Sequence, residues 1–136
     1  MSGLVLKLGP RERIMVNGVV LENGDRRTRL NIVTSDANVL RMRDAIHPED
    51  VKTPVSRVCY IAQLVLAGEA DPAEAQDQLR KGIGQLRFVF ADKPSADLLS
   101  RAADAVEARN FYPALKALRG LLARERELIE VSERRH

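Results

Sequence analysis

Residues 4–33 read as four short apolar runs with period-two alternation, cut by Gly9-Pro10, Asn17-Gly18 and Asn23-Gly24, and nothing of that kind recurs later in the chain. Alternation marks strands with one buried and one solvated face, and glycine, proline and asparagine mark the turns between them. The runs are Leu4–Leu8, Arg13–Asn17, Val19–Leu21 and Arg27–Val33. In the last, Leu30 and Ile32 share one face while Arg27, Arg29, Asn31 and Val33 share the other. Asn-Gly favours positive φ at both central positions of a tight turn. The second pair, followed by Asp25, is read as the main hairpin turn, with Arg26, Arg27 and Arg29 directly after it. A sheet this small is marginal unless it packs on something.

What it packs on is helical. Ser35 or Asp36 is expected to cap a helix starting at Ala37 and ending before Pro48. Thr53-Pro54 starts a second helix, nearly all apolar between Val55 and Leu66, that Gly68 closes. Asp71-Pro72 starts a third, in which Gly82 and Gly84 predict a kink or a close helix crossing. Ser95 is expected to cap a fourth over Ala96–Arg109, and a fifth begins near Tyr112-Pro113. Strands first and helices after argue an α+β fold, a small N-terminal antiparallel β-sheet packed against a bundle of about five helices. The division is a β subdomain over residues 1–34 and a helical one over 35–136, within one compact unit.

Charge singles out the same N-terminal segment. The net charge is +3. Residues 1–34 hold six Lys/Arg against three Asp/Glu, and the remainder holds sixteen of each. Arg11, Arg13, Arg26, Arg27 and Arg29 are the candidate anion-binding residues, because the guanidinium fork donates two parallel hydrogen bonds to a phosphate, beside the alternative that they form a solvated strand face. No aromatic residue precedes Tyr60, so a base-stacking platform on the sheet is not expected.

Enzyme chemistry finds little support. His47, before Pro48, reads as a solvated helix-end residue, and the other histidine is the last residue, His136. No phosphate-binding loop, dinucleotide fingerprint or Cys/His metal spacing occurs, so no catalytic residue, metal or cofactor is assigned. Cys59 lies in an apolar stretch and reads as a buried hydrophobe. No apolar run approaches a membrane span and the first residues lack a secretory pattern, so a cytoplasmic protein is expected. On the last helix Leu115, Leu118, Leu122 and Ile129 recur on one face, with Glu125 interrupting, and are the candidate partner-binding residues beside the alternative that they fill the chain's own core. The oligomeric state stays open, a homo-oligomer included.

Two sets of residues carry a resemblance. Leu6–Arg13, Val16–Val20 and Asn23–Arg27 form the first, and Val39–Asp44 and Thr53–Tyr60 the second. Together they resemble the FlbT family of flagellin regulators. The resemblance implies a repressor that associates with the 5′ untranslated region of flagellin mRNA and promotes its decay, although some members of the family act as activators instead. It also implies a second small flagellar regulator, FlaF, working alongside. A competing implication is a protein-interaction or chaperone-like factor that binds flagellin or FlaF and couples flagellin supply to assembly. It supplies no RNA-contacting residues, so the arginines above rest on charge and alternation alone.

Overall fold

Asn17 and Gly18 take φ of 49° and 84°, the paired positive values of a two-residue hairpin turn. They join β2 (Arg13–Val16) to β3 (Val19–Glu22), and β2 pairs on its other side with β5 (Val39–Arg41). The computed structural model describes residues 4–34 and 37–134. A second, two-stranded sheet pairs β1 (Leu4–Leu8) with β4 (Thr28–Ile32), Leu4 opposite Ile32 and Leu8 opposite Thr28. Both sheets are antiparallel. The hairpin turn is thus the first Asn-Gly pair and not the second. Gly24 is not at positive φ. Asn23 instead spends its side chain on the corner, Nδ2 donating to Gly9 O at 2.7 Å and Arg26 O at 2.9 Å. That corner steers the chain away from β3 and onto β1.

The helix expected from Ala37 does not form, and its proposed caps, Ser35 and Asp36, lie outside the described residues. Residues 39–41 are a strand, followed by single 3-10 turns at Met42–Asp44 and Pro48–Asp50. Burial explains the override. Alternation along β5 sends Val39 into the core of the sheets and Leu40 into that of the helices, and both are almost fully buried. A helix would put the two on one broad face and could not serve both cores. His47 caps the second 3-10 turn, its Nδ1 accepting from Glu49 N at 3.2 Å, which replaces the helix-end role read from sequence.

Among the described residues four α-helices follow: α1 (Pro54–Leu66), α2 (Pro72–Val89), α3 (Lys93–Glu107) and α4 (Phe111–Arg134). The fold is α+β, as the element order implies, with the sheets at one side of the helical bundle. Proline follows the N-cap of α1 at the first helical position, and Thr53 and Ser56 form a reciprocal capping box. Asp71 caps α2, and Asp92, three residues before Ser95, caps α3. Two apolar cores result. Leu6, Leu8, Ile14 and Val39 fill the space between the sheets, and the larger core lies among the helices. Tyr112 packs against both. Cys59 is fully buried in the second, and burial pushes its thiol up to about 12.

Leu115, Leu118 and Leu122 are at most 7 % exposed and fill the helical core, so they offer no surface to a partner. Of the four residues read as a partner seam only Ile129 is open, at 40 %. The interruption at Glu125 has a structural reason. Its buried carboxylate accepts from Val55 N at 3.2 Å, placing a negative group on the N-terminus of α1.

The two glycines of α2 differ. A Cβ on Gly82 would lie 2.8 Å from Val58 Cγ2, whereas one on Gly84 meets nothing within 4 Å. Gly82 therefore marks a close α1–α2 crossing, in a helix that runs unbroken to Val89. Gly84→Ala is expected to raise stability by about 0.5–1 kcal/mol through backbone entropy. Gly82→Ala should give no such gain, because Val58 must move. Thermal unfolding of the two variants checks the difference.

Candidate nucleic-acid interface

The β1–β4 ribbon has an apolar inner face, Leu4, Leu6 and Leu8 against Leu30 and Ile32, and an outer face carrying Val5, Lys7, Arg29 and Asn31. Lys7 and Arg29 stand directly opposite one another across the ribbon. Like charges at that position repel. Around them Leu8, Gly9, Arg27, Thr28 and Arg43 complete a shallow depression of about 410 Å³. Four of its seven lining residues are cationic and none is acidic. Its side chains Lys7, Arg27 and Arg29 are exposed, and among the described residues they have no ion-pair partner.

The five arginines named from sequence divide into two groups. Arg27 and Arg29 line the depression, and Arg26, also exposed and without an ion pair among the described residues, sits one position before them. Arg11 and Arg13 are tied to the chain's own carboxylates. Arg11 meets Asp25 at 2.6 Å and Glu22 at 3.7 Å, and Arg13 Nε meets Glu22 Oε1 at 2.9 Å. Arg13 above all holds the Glu22 carboxyl below its usual range. Arg11 also has a φ of 61°, in the turn that Glu12 N closes on Gly9 O. Two further cations, Lys7 and Arg43, join the site. Lys7 was legible as the solvated member of Leu6-Lys7-Leu8. Arg43 was not, because only the path of the chain beyond β5 brings it beside β1.

Beneath the depression lies a buried ion pair. Arg41 Nε donates to Glu12 Oε2 at 2.7 Å and Nη2 to Oε1 at 2.8 Å. Arg41 Nη2 also donates to Lys7 O at 2.6 Å, and Gly9 N donates to Glu12 Oε1 at 3.0 Å. Both side chains are about nine-tenths buried. The Arg41 guanidinium, ahead of the other influences, lowers the Glu12 carboxyl to about 2. Arg43 touches the same carboxylate more loosely, at 3.8 Å and largely exposed. One pair thus pins β1, the Gly9 corner and β5 together, and holds the backbone that displays Lys7.

The arrangement can bind an anion with several negative charges along its length, held by point charges and forks at the spacing of an antiparallel ribbon. It offers no aromatic face for a base, since Tyr112 is packed between the cores. Among the described residues no cluster of His, Cys, Asp or Glu could hold a metal ion, and no helix is long and apolar enough to cross a membrane.

The family described as flagellar protein FlbT matches residues 4–129, which takes in both sheets and most of α4. The chain belongs to the FlbT family. It is 32 % identical over 132 residues to the probable flagellum biosynthesis repressor protein FlbT of Allorhizobium ampelinum, covering 97 % of this chain and 87 % of that one. It is likewise 32 % identical to the protein of the same name from Rhodopseudomonas palustris, over 93 % and 97 % of the two chains. The flagellum biosynthesis repressor protein FlbT of Caulobacter vibrioides is 28 % identical over 91 % of this chain and 87 % of its own. No solved structure matches. FlbT membership covers the basic ribbon, the buried Glu12–Arg41 pair and the helical bundle alike.

Proposed function

We propose that this FlbT-family chain is a cytoplasmic regulator of flagellum biosynthesis that binds the 5′ untranslated region of flagellin mRNA through the outer face of β1–β4 and represses it by promoting its decay. The observation that carries the reading is the Lys7–Arg29 pairing. Two cations face each other across a ribbon, with Arg27 and Arg43 around the same hollow and no carboxylate lining it. Such a surface is stabilised by a polyanion laid along it. The relatives' names, which speak of repression of flagellum biosynthesis, support the regulatory part. The absence of stacking aromatics on the ribbon makes phosphate the main contact and leaves sequence preference to Asn31 and backbone groups.

Photocrosslinking of flagellin leader RNA to the purified chain tests the placement. The expected adducts fall in residues 5–9 and 26–31, and excess of an unrelated RNA competes weakly. Adducts confined to the helices, or none, would remove the ribbon from the account.

A second reading has one observation in its favour. The core-facing stripe of α4, Leu118, Leu121, Leu122 and Glu125, continues as Leu128 and Ile129 where the helix is no longer covered. That end fits a protein partner, flagellin or FlaF, bound in place of or alongside RNA. Nuclease-resistant co-purification with flagellin that is lost in Ile129→Asp would favour it.

A further inference from the structure

β3 is the one strand among the described residues with no buried or half-buried residue. All four of its residues are exposed, and three in succession are apolar: Val19 at 59 %, Val20 at 53 % and Leu21 at 43 %. It is one edge strand of the β3-β2-β5 sheet, whose other edge, β5, is buried. Exposed edges are normally blunted by shortness, charged side chains, proline, a bulge or a covering segment. β3 is short, at four residues, and ends in one charge, Glu22, but residues 19–21 carry no charge, proline, bulge or cover. Leu21 pairs with the fully buried Ile14 and lies on its face of the sheet, yet stays open, because β3 overhangs the core that covers β2.

The backbone of this edge is also free. Antiparallel residues alternate between bonding inward and pointing outward. The two-residue turn makes Val16–Val19 a bonded pair, and Asn23 N donates to Glu12 O at 2.8 Å, so Val19, Leu21 and Asn23 bond toward β2. The N–H and C=O of Val20 and Glu22 then face away from the sheet. Among the described residues nothing accepts or supplies these bonds.

We propose that this edge pairs with the same edge of a second copy, antiparallel about a twofold axis at Val20, to give one continuous six-stranded sheet. The register is self-complementary. Val20 bonds Val20, Val19 of each copy meets Leu21 of the other, and Glu22 falls opposite Gly18, where no side chain opposes it. Charge favours a like edge over an ionic partner. Glu22 is already balanced by Arg13 and Arg11 of its own sheet, so the edge is electrically quiet. The strand is short, so the dimer is weak and dissociates on dilution. This inference is independent of the RNA reading.

Sedimentation equilibrium of the full chain tests it. The expected result is a reversible shift from 15.2 kDa to twice that mass as concentration rises. Val20→Pro removes an N–H that faces away from β2, so it leaves the chain's own sheet bonded while weakening association about tenfold or more. Val20→Lys acts through edge charge and should do the same, which covers the case in which the proline variant does not fold. In the native chain the Val20 and Glu22 amides should gain hydrogen-exchange protection with concentration, while the exposed loop amides do not. A chain that stays at the monomer mass up to its solubility limit overturns the proposal. So does a dimer that survives both substitutions, or one in which the Val20 amide exchanges as freely as in the monomer; either would put the contact on another face or give the edge to a foreign strand.

Discussion

Replacing Arg41 with methionine is expected to destabilise the fold by about 3–5 kcal/mol, because it leaves a buried carboxylate without its cation. For a chain of this size that corresponds to a fall of roughly 10–20 °C in Tm. Methionine keeps much of the arginine's volume, so packing is the smaller loss. The Glu12 carboxylate, deprived of a bidentate partner at 2.7 and 2.8 Å, should then take up a proton well above its native value. Glu12→Gln together with Arg41→Met should recover part of the loss. The amide retains an oxygen for Gly9 N and no buried charge remains. If Arg41→Met proves as stable as the native chain, the pair is not the staple described here.

The same pair sets the acid limb of stability. The Glu12 carboxyl is lowered from 4.5 to about 2 in the fold. A depressed acid stabilises the folded state fully above its unfolded value and loses that contribution as pH falls toward the folded one. The native chain should therefore lose of order 3 kcal/mol between about pH 5 and pH 2 from this group. Arg41→Met should lack that limb, its stability changing less, or rising, over the same range. Urea unfolding at stepped pH values reads both curves.

A second large effect is expected at the basic hollow, and it has opposite signs for folding and binding. Lys7 and Arg29 repel each other across the ribbon. Removing either should leave the free protein as stable as before, or more stable by a few tenths of a kcal/mol. Binding should suffer instead. Each lost phosphate contact to single-stranded RNA removes about 0.7 from the log–log salt slope. If all four cations of the hollow contact phosphate, alanine at Lys7, Arg27, Arg29 and Arg43 costs about 10²–10³-fold in affinity near 0.1 M salt. Arg11 and Arg13 are already held by Asp25 and Glu22, so alanine at those two should cost far less.

The strands were readable because alternation is local. Leu4-Leu6-Leu8 and Leu30-Ile32 announce a face without reference to the rest of the chain. Their pairing was not readable. Both Asn-Gly pairs satisfy the same turn chemistry, and the choice between them depends on Asn23 finding Gly9 O, fourteen residues upstream. The strand β5 was misread as helix because three residues give no period, and what makes them a strand is burial on both sides by elements far away in sequence. The helix starts were clear at Thr53-Pro54 and Asp71-Pro72, where cap and proline coincide. Apolar spacing on α4 revealed a face but not its cover, which is why Leu115, Leu118 and Leu122 could be taken for a seam. At the site, composition located the charge surplus. It could not separate Arg11 and Arg13, whose partners lie on neighbouring strands, from Arg27 and Arg29, nor bring Arg43 to their side.

The salt dependence of leader-RNA binding, measured for the native chain, the hollow variant and Arg11→Ala/Arg13→Ala, reads the phosphate contacts of the hollow without intermediaries. The expected result is a slope flattened by about 3 for the four-residue variant, a nearly native slope for the other, and unchanged folding in both. Parallel lines of equal affinity for the native chain and the hollow variant would contradict it.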